Sequence, residues 1–298
     1  MFIQKLENEF IENFGIISLE QKSILYKSGI KALSLIANSN APYHDLYHTI
    51  LVTDVAQEIL KGLNFEKNNI NPNIWLHFIL AAIHHDIGYV KGSLKNDTFE
   101  NYIVDDYNNS IKISNNLNDS YLAPYHVSRS KIYVKEVFKN DFIIDKDFIC
   151  DLIETTRFPI PDIEEYQNTQ DLASLLRAAD LIGQLADIDY HKKMKCLFIE
   201  FEESGVNNET GYKSIDDMRE KYPDFFWKSV NPYIKEAIKY LNYTKDGKKW
   251  IENLYSNVAL SEITIEPFNY SHKNISNLAK TEIELPLTNI FHIKRTSF

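Results

Sequence analysis

Two histidines stand four residues apart in the stretch PYHDLYHT, His44 and His48, with Asp45 between them. On a helix this spacing puts both imidazoles on one face, one turn or about 5.4 Å of rise apart. Further on, AAIHHDIGY closes a strongly apolar run with the adjacent pair His85 and Asp86, and LLRAADLIGQLAD carries Asp180. Imidazole and carboxylate together make a mixed nitrogen and oxygen donor set suited to a first-row divalent ion such as Mn, Fe, Zn or Ni, with Mg also accommodated. Asp180 has Ala173 and Leu176 at i−7 and i−4, so it borders an apolar stripe. Turned inward there, a carboxylate is costly unless it is paired or bound to a metal. The competing reading is a surface ion pair with Arg177 at i−3. A lone His-Asp dipeptide arises often by chance; three helices supplying donors in the order H, HD, D form a much stronger pattern.

The elements that must carry these residues read as helices. SLEQKSILYKSGIKALSLIANS opens with a capping box, Ser18 and Gln21, and repeats apolar residues at helical spacing. A second helix follows Pro42, which a first turn tolerates. NPNIWLHFILAAIHHDIG is apolar nearly all round, as befits a central buried helix, and Gly88 is a candidate stop signal. Residues 89–125 break the pattern with a run rich in Asn, Asp and Ser, a long insert of the kind that is functional or disordered. Helical spacing resumes in HVSRSKIYVKEVF, KDFICDLIETTRF and TQDLASLLRAADLIGQLAD and continues to about residue 260. Residues 261–298, with alternating runs such as TEIELPL, read as an irregular or β appendage. The predicted class is all-α: one domain over 1–260 with an inserted loop at 89–125, then a C-terminal extension.

Composition narrows the function classes. An apolar fraction of 44 % is enough for a sizeable core in a chain of 298 residues. A formal charge of −10 without a basic tail argues against non-specific nucleic-acid binding, which relies on a positive surface. Cys150 and Cys196, with no CxxC neighbour, read as buried structural thiols in a reducing cytosol. The N-terminal MFIQKLENEFIENFG lacks a signal pattern, and no apolar run approaches the roughly 20 residues that a bilayer crossing needs. These features predict a cytoplasmic protein with no membrane partner.

The order His48, His85-Asp86, Asp180 resembles the signature of the HD-domain superfamily of metal-dependent phosphohydrolases. PYHDLYHTILVTDV further resembles the cyclic-nucleotide phosphodiesterase branch, whose pattern there is roughly Y-H-N-x-x-H-A-x-D-V. From about residue 18 to 260 the chain is similar to a bacterial group of HD-domain proteins, through YHDLYHT, WLHF, HHDIGYV, PYHVSR, TRFP and RAADLIGQLAD. The resemblance implies a helical bundle around one or two divalent ions. It makes His48, His85, Asp86 and Asp180 metal ligands, with Asp86 able to bridge to a second ion. His44 matches the histidine that donates a proton to the leaving oxygen. Two departures stand out in HDIGY: Tyr89 replaces the histidine of animal-type phosphodiesterases, and the lysine that would follow HDIG-like patterns in the HD-GYP branch is absent there.

Other residues enter with two readings each. His126 is the best additional ligand or phosphate contact, or a helix-start histidine facing solvent. Arg129 and Arg157 can clamp phosphate oxygens bidentately or form structural ion pairs; Lys91 is a weaker candidate. Gln184 and Asp187 share a face with Asp180, to orient a ligand or to pack. Glu154 can hydrogen-bond a catalytic histidine. His77 and His84 read as satisfied core histidines. The leading expectation is a phosphohydrolase using metal-activated water on a small phosphorylated nucleotide, a cyclic-nucleotide-type phosphodiester being favoured by the His44 motif. The alternatives are a nucleotide or alarmone phosphatase of the same superfamily and a non-catalytic metal-binding regulatory protein.

Overall fold

Short polar side chains decide where most of the helices begin. Ser18 and Gln21 form the reciprocal capping box of α2 (Leu19–Ile36). Asp45 caps α3 (Leu46–Lys67), and Asn71 with Pro72 opens α4 (Pro72–His84). Asp145 and Asp171 do the same for α6 (Lys146–Glu154) and α7 (Leu172–Leu185). The computed structural model describes residues 2–68 and 70–265. The remaining helices there are α1 (Phe2–Phe14), α5 (His126–Val137), α8 (Tyr190–Ser204), α9 (Val206–Thr210), α10 (Ile215–Phe225), α11 (Asn231–Leu241) and α12 (Lys245–Ile265). The protein is mostly helical, with one two-stranded sheet among the described residues. None of the described helices is long and apolar enough to cross a membrane.

One apolar cluster runs from Ile3 to Val258. At its centre lies α4, buried on every side from Trp75 to His84, as its uninterrupted apolar sequence requires. Against it pack α2, α3 and α6, and α3 makes its most extensive contacts with α7. Those two helices approach closely because Gly183 faces Val52: a Cβ there would lie 2.9 Å from the Val52 Cα. Gly183 is one turn from Asp180, and Val52 one turn from His48, so the close approach brings two site residues together.

Four predicted features are corrected. Pro42 and His44 precede the helix rather than forming its first turn, because extended Asp45 takes the cap position and accepts the His48 N–H at 2.9 Å. Gly88 does not stop α4 with a left-handed turn. It sits in a short 3₁₀ turn (Ile87–Tyr89), where a Cβ would lie 1.9 Å from the His126 carbonyl oxygen. The insert is not a bare loop: it holds β1 (Asn101–Ile103) and β2 (Ser110–Lys112), paired antiparallel, and a 3₁₀ segment (Asp119–Tyr125). Tyr102, Ile113 and Leu122 give it a small core of its own. Residues 261–265 continue α12 instead of starting an appendage; 266–298, with TEIELPL, lie outside the described residues. The N-terminal stretch, which carried no helix expectation, forms α1 and buries Ile3, Leu6 and Phe10.

Candidate active site

The four side chains with metal-ligand spacing converge. His48 enters from the first turn of α3, Asp180 from the middle of α7, and His85 and Asp86 from the bend between α4 and the 3₁₀ turn. His48 Nε2 lies 3.2 Å from Asp180 Oδ1 and 3.3 Å from Asp86 Oδ2. His85 Nε2 lies 3.0 Å from Asp86 Oδ2 and 3.6 Å from Asp180 Oδ1. His48 and His85 are both buried, yet neither Nε2 has a well-aligned hydrogen-bond partner, and Asp86 Oδ2 has none either. Buried polar atoms are nearly always satisfied. Here they point at a common centre instead of along one another's bonding directions, the arrangement of groups around an ion.

The neighbours of these side chains fix their orientation. His85 Nδ1 donates to the Ala82 carbonyl at 2.8 Å, which leaves Nε2 as the lone-pair nitrogen facing the centre. Ser130 Oγ donates to the His85 carbonyl at 2.6 Å and accepts the Gly88 N–H at 2.9 Å, so α5 braces the whole bend. The electrostatics call for positive charge at the centre. Burial pushes the His48 imidazolium down, but the Asp180 and Asp86 carboxylates overcome this and lift its pKa to about 9. Burial raises both aspartates, yet the His48 and His85 imidazoles hold them well below the carboxylate range. His44, His48 and Asp86, and His48, His85 and Asp180, form two overlapping His/Asp groups compact enough to hold a metal ion.

Beside the cluster opens a cavity of about 260 Å³. His44, Asp86, His126, Asp180 and Gln184 line the end next to the cluster. His44 Nδ1 meets Glu200 Oε2 at 2.5 Å, and Glu200 Oε1 accepts the backbone N–H groups of Tyr43 and His44 at 2.5 and 3.0 Å. Burial opposes charge on His44, but the Glu200 carboxylate outweighs it and the pKa rises. His126 Nδ1 bonds the Ala123 carbonyl at 2.5 Å, its Nε2 lies 3.8 Å from Asp86 Oδ1, and burial pushes its pKa down. Tyr89 stacks between the two imidazoles, 4.6 Å from each.

A family model described as Npun_R2479-like matches residues 1–264. The chain belongs to that family. A comparison with curated proteins gave no match. The Npun_R2479-like description names no activity, so the chemistry of this family member rests on its own side chains.

Several predicted site residues lie elsewhere. Arg129 is fully buried and fastens the insert: it donates to the Gly88 and Val90 carbonyls at 2.6 and 3.1 Å, to the Ile103 carbonyl, and to Asp97 at 2.9 Å. Arg157 is engaged by Glu154 and Ser128. Glu154 itself binds Arg157, Lys131 and Tyr166, and touches no cavity histidine. Lys91 donates to the Leu117 carbonyl, and Asp187 pairs with Lys193 at 2.6 Å. Asp180 has no ion pair with Arg177, whose guanidinium bonds the Tyr166 and Asn168 carbonyls. His77 is a satisfied core histidine, accepting the Asp145 N–H; His84 is buried, bonded at Nδ1 and without a partner at Nε2. Cys150 is buried, but Cys196 is half-exposed. Sequence reasoning missed Glu200, and it noted Tyr89 only as a departure from the family pattern, not as a ring stacked on His44 and His126. A signal for Glu200 exists: it follows Met194 and Leu197 at helical spacing on the buried stripe of α8.

Proposed function

We propose that this protein is a metal-dependent phosphohydrolase of the HD type, acting on a phosphodiester of a small nucleotide. The observation that carries the reading is the convergence of two imidazoles and two carboxylates, from α3, α7 and the bend after α4, on a buried centre where Nε2 of His48, Nε2 of His85 and Oδ2 of Asp86 lack aligned partners. His48, His85, Asp86 and Asp180 would hold a divalent ion, and Asp86 with His126 would be the residues to hold a second. Such an ion supplies a lowered pKa for water and offsets charge on the non-bridging phosphoryl oxygens.

The chain's own residues account for the rest of the reaction. Hydrolysis joins a water oxygen to phosphorus and breaks the bond from phosphorus to the leaving oxygen, which departs as a strong base needing a proton. With Nδ1 taken by Glu200, His44 has Nε2 left for a ligand in the cavity that it lines. Glu200 raises its pKa, which favours the imidazolium form suited to give that proton. A positioned general acid is worth on the order of 10²- to 10⁴-fold. Gln184 offers an uncharged hydrogen-bonding group on the α7 side of the cavity.

The test is metal analysis of purified protein, followed by a screen of cyclic mononucleotides, cyclic dinucleotides, deoxynucleoside triphosphates and alarmones with Mn or Mg. Metal-dependent hydrolysis that His85→Ala and Asp86→Ala abolish together with bound metal is the expected result. A wild-type protein that resists metal loading would sink the reading.

A further inference from the structure

The end of the cavity away from the cluster is built from aromatic and aliphatic side chains. Phe158, Phe201, Tyr212, Met218, Tyr222 and Phe225 lie on it, brought together by the segment after α6, by α8, by the turn between α9 and α10, and by α10. Phe158 stacks on Phe201 at 5.7 Å between ring centroids and meets Phe225 edge-on at 6.0 Å, and all three rings stay partly accessible. Among the described residues lining the cavity there is no lysine and no arginine. Arg157 and Arg219, each next in sequence to a lining residue, are paired with Glu154 and Asp216, and Arg129 is held by Asp97. The acids on the lining outside the metal cluster are Glu200, which is paired with His44, and exposed Glu209.

Recognition of several phosphates normally relies on guanidinium or ammonium groups, because each further anion must be desolvated and compensated. This cavity has compensation only at the His/Asp end. We propose that the substrate is a phosphodiester with a single negative charge whose non-reacting part is an uncharged, apolar or aromatic group seated against Phe158, Phe201 and Phe225. Polyphosphate esters, including nucleoside triphosphates and alarmones, are excluded by the same wall. The assignment rests on the phosphohydrolase reading for its reacting end, while the apolar wall is independent of turnover.

Binding and turnover are therefore measured separately on Mn-loaded protein. Calorimetry compares diphenyl phosphate, dimethyl phosphate and 3′,5′-cyclic AMP, with ATP in excess Mg as the polyphosphate. Kinetics compare phenyl and methyl p-nitrophenyl phosphate with the same ATP. Diphenyl phosphate should bind at least tenfold more tightly than dimethyl phosphate, and the phenyl diester should show a similar gain in kcat/KM. Phe201→Ala should reduce the binding preference below threefold without changing dimethyl phosphate binding; should that variant not fold, Phe158→Leu gives the same reading. Equal binding of the two diesters, or a preference that survives both substitutions, overturns the assignment. So does faster turnover of ATP, which would leave the phosphohydrolase reading standing. Selective binding of diphenyl phosphate with no hydrolysis of any ester would uphold the cavity assignment and sink the reaction. Cyclic AMP, whose nucleobase is an aromatic group of this kind, should bind more tightly than dimethyl phosphate; weaker binding would also overturn the assignment.

Discussion

His44 and Glu200 illustrate how a single contact changes what a residue can do. A histidine beside a cavity is an ordinary object; one whose Nδ1 is gripped by a buried carboxylate has a set tautomer and a raised pKa. Glu200→Gln removes the charge and keeps the shape. It is expected to retain bound metal, lower the rate on substrates with basic leaving groups by about 10²-fold or more, and spare p-nitrophenyl esters, which leave without help; equal losses on both would contradict the proton-donor role. Metal content by elemental analysis and paired rate assays provide the check. The His/Asp cluster was legible in the sequence because imidazole and carboxylate at helical positions carry their chemistry in the residue type. Glu200 was not, because its meaning depends on a partner 156 positions away. Arg129 misled for a related reason: a guanidinium suits phosphate and backbone carbonyls equally well, and only the fold decides which it meets.

At the level of elements, the bend from His85 to Tyr89 is shaped by contacts with α5. Gly88 has no room for a side chain against the His126 carbonyl. Gly88→Ala should therefore destabilise the protein by about 2–4 kcal/mol through forced overpacking, and should weaken metal retention because Asp86 lies two residues away; chemical denaturation and metal analysis would show both. Arg129→Met leaves Asp97 buried without its guanidinium, a loss on the order of 3–5 kcal/mol. Limited proteolysis should then cut residues 91–118 far faster than in wild type, and unchanged cleavage would mean that the clamp is dispensable. Helix positions were readable from capping residues and apolar spacing. The hairpin in the insert was not, since three-residue strands among Asn, Asp and Ser leave no period to detect.

Part of the response of the whole molecule to acid comes from a charge network away from the cavity. Burial raises the Glu154 carboxyl, but Arg157, Lys131 and Tyr166 overcome it and hold its pKa down to about 2, against an ordinary 4.5. A depressed carboxylate pKa stabilises the fold above the unfolded value, and that contribution is lost as pH falls from about 4.5 towards 2. Wild-type Tm should drop more steeply than that of Glu154→Gln over this window; parallel curves would rule the network out. Metal should act in the opposite sense: an ion at 100 times its Kd adds about 2.7 kcal/mol, so chelation should lower Tm in wild type but not in Asp180→Ala. One further consequence follows from the grip of α8 on residues 43 and 44. His48, His85, Asp86 and Asp180 are all translated before Glu200. A chain emerging from the ribosome thus carries the whole His/Asp cluster about twenty residues before the carboxylate that orients His44.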